Sequence, residues 1–178
     1  MKLDDRLKRI ARGTGVVEAI DAYVAELSRR GEDVGDPEQA KRDELLAIVE
    51  IMFLMAAVDG EISAEEADQL YASIQALTDM DAVEGIEPET VLDDLGARLA
   101  REGWKNRLDE AASRLRTPDA KAFAFRLAAG VAFVDDFVAH AEAAAFDSLA
   151  LALGFTREEA QSLLRDVHQT LFSRERSA

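Results

Sequence analysis

Four carboxylates stand out by their spacing. Asp59 and Glu66 lie seven residues apart, as do Asp135 and Glu142, and 76 residues separate the two pairs. Each pair brackets a turn at the end of an apolar run. The first run is Met55-Ala56-Ala57-Val58-Asp59-Gly60-Glu61-Ile62, and the second is Val131-Ala132-Phe133-Val134-Asp135-Asp136-Phe137-Val138. Carboxylate oxygens are the donors that Ca2+ and Mg2+ take, so a site shared by Asp59, Glu66, Asp135 and Glu142 is one chemistry open to this chain. Acid–base work by the same groups in a metal-dependent enzyme is another. A third reading is structural. Glu66 follows Ser63 by three residues and completes a capping box, and Asp59 before Gly60 is suited to bond turn N–H groups. Glu142 has Ala139 where a cap would sit, but its charge still suits the positive end of a helix.

Other chemistries are excluded. Treated as the second half of an EF-hand loop, the first turn would put Met55 and Ala57 at the leading ligand positions, where neither can hold a hard cation. His140 and His168 fall on different predicted helices with no zinc spacing around them. The chain has no cysteine, which removes disulfides, thiolate metal sites and a Cys nucleophile. No GxxxxGK[ST], GxGxxG or GxSxG pattern occurs, so there is no phosphate cradle or nucleophile elbow. A formal net charge of −15 over 178 residues repels nucleic acid and anionic lipid alike. The start Met1-Lys2-Leu3-Asp4-Asp5-Arg6 lacks the apolar region of a secretory signal. Leu45 to Val58, interrupted by Glu50, falls short of the roughly 20 apolar residues that cross a bilayer. A cytoplasmic chain without membrane insertion is expected.

Helices must position these residues. Pro37, Pro88 and Pro118 each read as the first residue of a helix, with Asp36 and Gln39 forming a capping box and Thr117 a cap. Glu87 is a poor cap. Ser63–Glu66 and Thr156–Glu159 are two further boxes. Between these starts apolar residues recur at three and four, as in Leu70, Ile74, Leu77 and in Leu163, Leu164, Val167, Leu171, and no convincing strand pattern appears. The spacing predicts an all-α chain with helices near 3–11, 15–30, 37–58, 63–78, 88–101, 104–116, 118–134, 139–153 and 156–173. Residues 1–35 form an N-terminal helical arm and linker, and residues 36–178 the main body. The arm's stripe of Val16, Val17, Ile20, Val24 and Leu27 has to cover something, either this body or a partner helix. Asp79 to Gly85 reads as an acidic surface loop.

The body repeats itself. Residues 47–77 answer 123–153, pairing Asp59 with Asp135, Ile62 with Val138, Glu66 with Glu142 and Leu70 with Phe146. After an insertion in the first copy, Gly85-Ile86-Glu87-Pro88-Glu89 answers Gly154-Phe155-Thr156-Arg157-Glu158. The first helix of each copy is apolar nearly all round, so neither buries itself alone. The helices near 45–58 and 119–134 should form the centre, crossing at Ala56, Ala57, Ala128, Ala129 and Gly130. Glu50 and Arg126, the charges inside them, are also 76 residues apart, and a pseudo-twofold would bring them together as an ion pair.

The segment from Met52 to Glu66, an apolar helix ending in Ala-rich sequence and Asp59-Gly60 with Glu66 seven residues on, resembles the TerB-like family, named for tellurite resistance. The likeness spans roughly residues 40–173 and leaves the arm outside. The second copy departs, with Asp136 where glycine is expected and Ala139 in place of a cap. The resemblance implies a bundle of two degenerate three-helix repeats around two central buried helices, tied to stress or tellurite resistance, without established catalysis and with an acidic metal-associated surface. Lacking thiols, the chain would contribute to resistance indirectly. The function expected is a non-enzymatic stress-response protein acting through a protein partner, with Ca2+ or Mg2+ at the acidic turns as an addition. The alternatives are the metal-dependent enzyme and a metal-free adaptor. The run Asp79, Asp81, Glu84, Glu87, Glu89, Asp93, Asp94 is a solvated face or a patch for a basic partner. Trp104 and Tyr71 read as packing residues at helix ends or edges.

Overall fold

The computed structural model describes residues 9–10, 25, 29–31, 37–58, 62–81, 85–132 and 140–172, with the backbone alone at 37–38, 80–81 and 140–142. Among the described residues from 37 onward, seven helices follow in order: α1 Pro37–Ala56, α2 Ala64–Asp81, α3 Pro88–Glu102, α4 Trp104–Ser113, α5 Pro118–Ala132, α6 His140–Leu153 and α7 Arg157–Phe172. No strand occurs among the described residues, as the all-α reading expects.

Local chemistry sets the helix ends. Ser63 N–H donates to Glu66 Oε2 at 2.8 Å while Glu66 N–H donates to Ser63 Oγ at 3.2 Å, the reciprocal box that starts α2. Thr156 and Glu159 repeat it at 2.7 and 3.2 Å before α7. Thr117 Oγ1 accepts the Ala120 N–H at 3.2 Å before α5. Glu87 makes no cap bond to the backbone, so α3 starts on Pro88 at its first position instead. At the other end of α6, Gly154 takes φ +78°. Its N–H donates to Leu151 O at 3.1 Å, and that of Phe155 donates to Ala150 O at 2.9 Å. This left-handed cap satisfies two carbonyls and swings Phe155 back against the bundle.

Burial explains the arrangement. Nearly every residue of α1 from Glu44 to Met55 is buried, and so is most of α5 from Phe123 to Gly130. Two helices with no polar face must cover each other, and α1 and α5 form the most extensive helix pair of the body. Each fully buried Leu, Ile or Phe contributes about 1.5–3 kcal/mol of transfer free energy. Helices α2 and α3 pack together and against α1, whereas α6 and α7 pack together and against α5. Helix α4 lies across the two halves, touching α1, α3 and α6.

Two expectations need revision or restriction. The segment from Asp79 is not a loop at its start, because α2 continues to Asp81. Leu77 and Thr78 are buried, Thr78 Oγ1 donates to Ile74 O at 2.8 Å, and Gln75 Nε2 donates to Asp79 Oδ1 at 3.0 Å, so this turn has helical partners for its polar groups. Of the arm, Ile10 is buried in the main core and Arg9 Nη1 donates to Leu171 O at 3.4 Å near the end of α7. The arm's stripe from Val16 to Leu27 lies outside the described residues. No described helix is long and apolar enough to cross a membrane.

The Gly154 cap should be sensitive to a side chain. Gly154→Ala places a Cβ in the left-handed region and should cost about 1–2 kcal/mol in urea unfolding, with no change in helix content.

Candidate functional site

The four carboxylates meet different fates. Asp59 and Asp135 lie outside the described residues, and Glu142 is described only as backbone in the first turn of α6. Glu66 is exposed and bonded to Ser63. Glu159 offers a comparison within the molecule, since it makes the same reciprocal box after Gly154-Phe155, a turn without a carboxylate. The Ser63–Glu66 spacing is therefore accounted for by capping. No group of three or more His, Asp or Glu suited to a metal occurs among the described residues. His168 packs its ring on Phe172, with centroids 5.0 Å apart.

The expected Glu50–Arg126 pair does not form. Glu50 is buried, its side chain only 3% exposed, and it faces α4. Arg107 grips it with a two-pronged contact, Nε to Oε1 at 2.7 Å and Nη2 to Oε2 at 3.0 Å. Arg114 Nη2 also donates to Oε2. Arg107 Nη1 extends the network to Glu102 Oε2 at 3.0 Å, giving two carboxylates and two guanidinium groups. Arg126 instead points toward α7 and reaches Asp166 Oδ2 at 3.5 Å, at the surface. The matched positions of the two central helices thus face different neighbours. Helix α4, which lies between the two stretches matched in sequence, supplies what Glu50 needs. Its sequence carries the signal: Trp104, Arg107, Leu108, Ala111, Arg114 and Leu115 recur at helical spacing, with two arginines bordering an apolar stripe.

Trp104 reinforces the same contact. Its Nε1–H donates to Leu54 O at 2.7 Å, occupying a carbonyl in the last turn of α1, where partners within the helix run out. Arg107 is held above its ordinary pKa, first by the hydrogen bond to Glu50 and further by the charges of Glu50 and Glu102, against the opposing effect of burial. A raised arginine adds stability that is fully present below its unfolded pKa and is lost only as pH rises through the folded value. The proton on Arg107 therefore stays in place through the neutral and mildly alkaline range.

Two open grooves flank this interior. One, of about 370 Å³, runs between α2 and α3 over a floor from α1, and is lined by Phe53, Ala57, Ile62, Ala67, Leu70, Leu92, Leu99 and Ala100, with Asp93 the charged residue of the lining. Gly96 also lines it, and a Cβ built there would meet nothing within 4 Å. The other, of about 660 Å³, runs between α6 and α7. Phe125, Phe146 and Phe155 line it, with Phe125 5.5 Å from Phe146 and 5.8 Å from Phe155 between ring centroids. Asp147 and Leu151 line it from α6, and Arg157 and Gln161 from α7.

A double-mutant cycle separates the two pairings of Glu50. Glu50→Gln or Arg107→Met alone leaves a buried charge with only its outer partner, Glu102 or Arg114, and should cost up to roughly 3–5 kcal/mol in chemical denaturation. The Glu50–Arg107 cycle should show strong coupling, and the Glu50–Arg126 cycle a value near zero. No family model, no curated protein and no solved structure matches the chain.

Proposed function

We propose that this chain is a non-enzymatic, TerB-like stress-response protein that acts by binding a protein partner in the groove between α2 and α3. The observation that carries the reading is the groove itself. Its floor is apolar, its charged lining residue is Asp93, and Gly96 leaves it unfilled. Glycine in mid-helix costs about 0.5–1 kcal/mol relative to alanine, and here no neighbour among the described residues requires it. Space kept open at such a cost suits an incoming side chain. The exposed acids Glu87, Glu89, Asp93 and Asp94 on α3 and its start, together with the net charge, favour a basic amphipathic helix as the occupant. Two further features agree with a TerB-like duplicated bundle: the paired central helices, and the succession of one long buried helix and two flanking helices in each half.

The cation reading of the acidic turns has Glu66 as its one fully described carboxylate, and that group serves the α2 cap. The proposal therefore works without metal. Calorimetric titration with Ca2+, Mg2+ and Mn2+ should give no heat that Glu66→Gln removes, while the substitution itself should cost about 0.5–2 kcal/mol through the lost cap. A binding heat abolished by Glu66→Gln would shift the reading to a cation-bearing protein.

The groove is tested by filling it. Gly96→Ala should raise stability by about 0.5–1 kcal/mol. Gly96→Leu should fold equally well and block the groove. In the native host, deletion should lower survival under tellurite or a related stress. Wild type and Gly96→Ala should restore survival, and Gly96→Leu should not. Full rescue by Gly96→Leu would remove the groove from the function.

A further inference from the structure

The groove between α6 and α7 carries both signs of charge, where the one between α2 and α3 carries only Asp93. Asp147 and Arg157 line the α6–α7 groove from opposite walls, and among the described residues neither side chain makes a hydrogen bond or an ion pair. Arg157 is also the first residue of α7, where the helix dipole disfavours a cation, so its place gains nothing from the helix it begins. One turn after Asp147 on the α6 wall, Leu151 stands 77% exposed beside a floor made of three phenylalanines, the most exposed large apolar side chain among the described residues.

A surface with one anion and one cation on opposite walls is complementary to itself. Twofold symmetry brings residue i of one copy against residue j of the other and repeats the contact in reverse, so one Asp and one Arg yield two ion pairs. The α2–α3 groove, with Asp93 as its charged lining residue, would gain no such pair from a second copy. The general repulsion between two chains of charge −15 is screened beyond a Debye length of about 8 Å at physiological salt, which leaves local pairing to decide the contact.

We propose that the α6–α7 groove is the interface of a twofold homodimer, in which Leu151 of each copy enters the other's groove and Asp147 pairs with the partner subunit's Arg157. The dimer stands apart from partner binding between α2 and α3, and either can fail without the other.

Sedimentation velocity over a concentration series of the full chain tests it. Wild type should dimerise. Asp147→Arg and Arg157→Asp each set like charges opposite one another twice per dimer and should weaken it on the order of 10–100-fold. Combining the two reversals should restore the dimer to within about threefold of wild type. Leu151→Ser should weaken it about tenfold, with no change in melting temperature because the side chain is exposed. Asp93→Arg, in the other groove, should leave it unchanged. Wild type that stays monomeric up to about 0.5 mM would overturn the proposal, since so weak a contact is below useful affinity. So would a double reversal as weak as its parents, a dimer indifferent to Leu151→Ser, or one that Asp93→Arg dissociates.

Discussion

A carboxylate carried into the middle of a buried helix dictates what must stand next to it. Glu50 is surrounded by Val49, Ile51, Phe53 and Leu54 along α1, all of them buried, and an ionised group there is tolerated only with opposite charge and hydrogen bonds in reach. Arg107 and Arg114 meet that demand from α4 and its C-terminal end. A buried pair adds little net stability over a well-packed apolar substitute. What it adds is a penalty on every arrangement in which α4 is displaced, because the carboxylate then loses both guanidinium partners. Since α4 also contacts α3 and α6, the ionic cluster fixes a helix that joins the two halves of the body.

Much of the fold is legible in the sequence because its determinants are local. The boxes Ser63–Glu66 and Thr156–Glu159 form as their spacing predicts, and α2, α3, α4, α5 and α7 begin within a residue of the expected positions. The central pair α1 and α5 follows from runs with no polar face to expose. Trp104 does lie at a helix start, half-buried, as a packing role requires, although its hydrogen bond to Leu54 O is not readable from spacing. The acidic run from Asp79 misleads because charge alone suggests solvent, while Leu77 and Thr78 keep that turn anchored in the core.

The errors at the candidate site have a common origin. The 76-residue spacing in the sequence matches Glu50 to Arg126 and leaves out the helix lying between the matched stretches. Charge neutralisation inside a protein depends on which third element reaches the group, and that is a tertiary property. The grooves were hidden for a similar reason. Ala67 and Gly96 in one, and Ala143 and Ala160 in the other, are small residues that read equally well as sites of close packing. Only the placement of neighbouring helices reveals that these positions border open space. The grooves' unlike charges then separate their uses, one suited to a basic guest and the other to its own likeness.

Trp104 is the sole tryptophan of the chain, and its indole is tied to the final turn of α1. Intrinsic fluorescence from this protein thus originates at a single address, the seam between the buried rod and the helix that straddles both halves. Separation of that seam exposes the ring to water while leaving the backbone coiled, so emission colour and circular dichroism report different events. The molecule carries its own optical gauge of whether its bridging helix is seated.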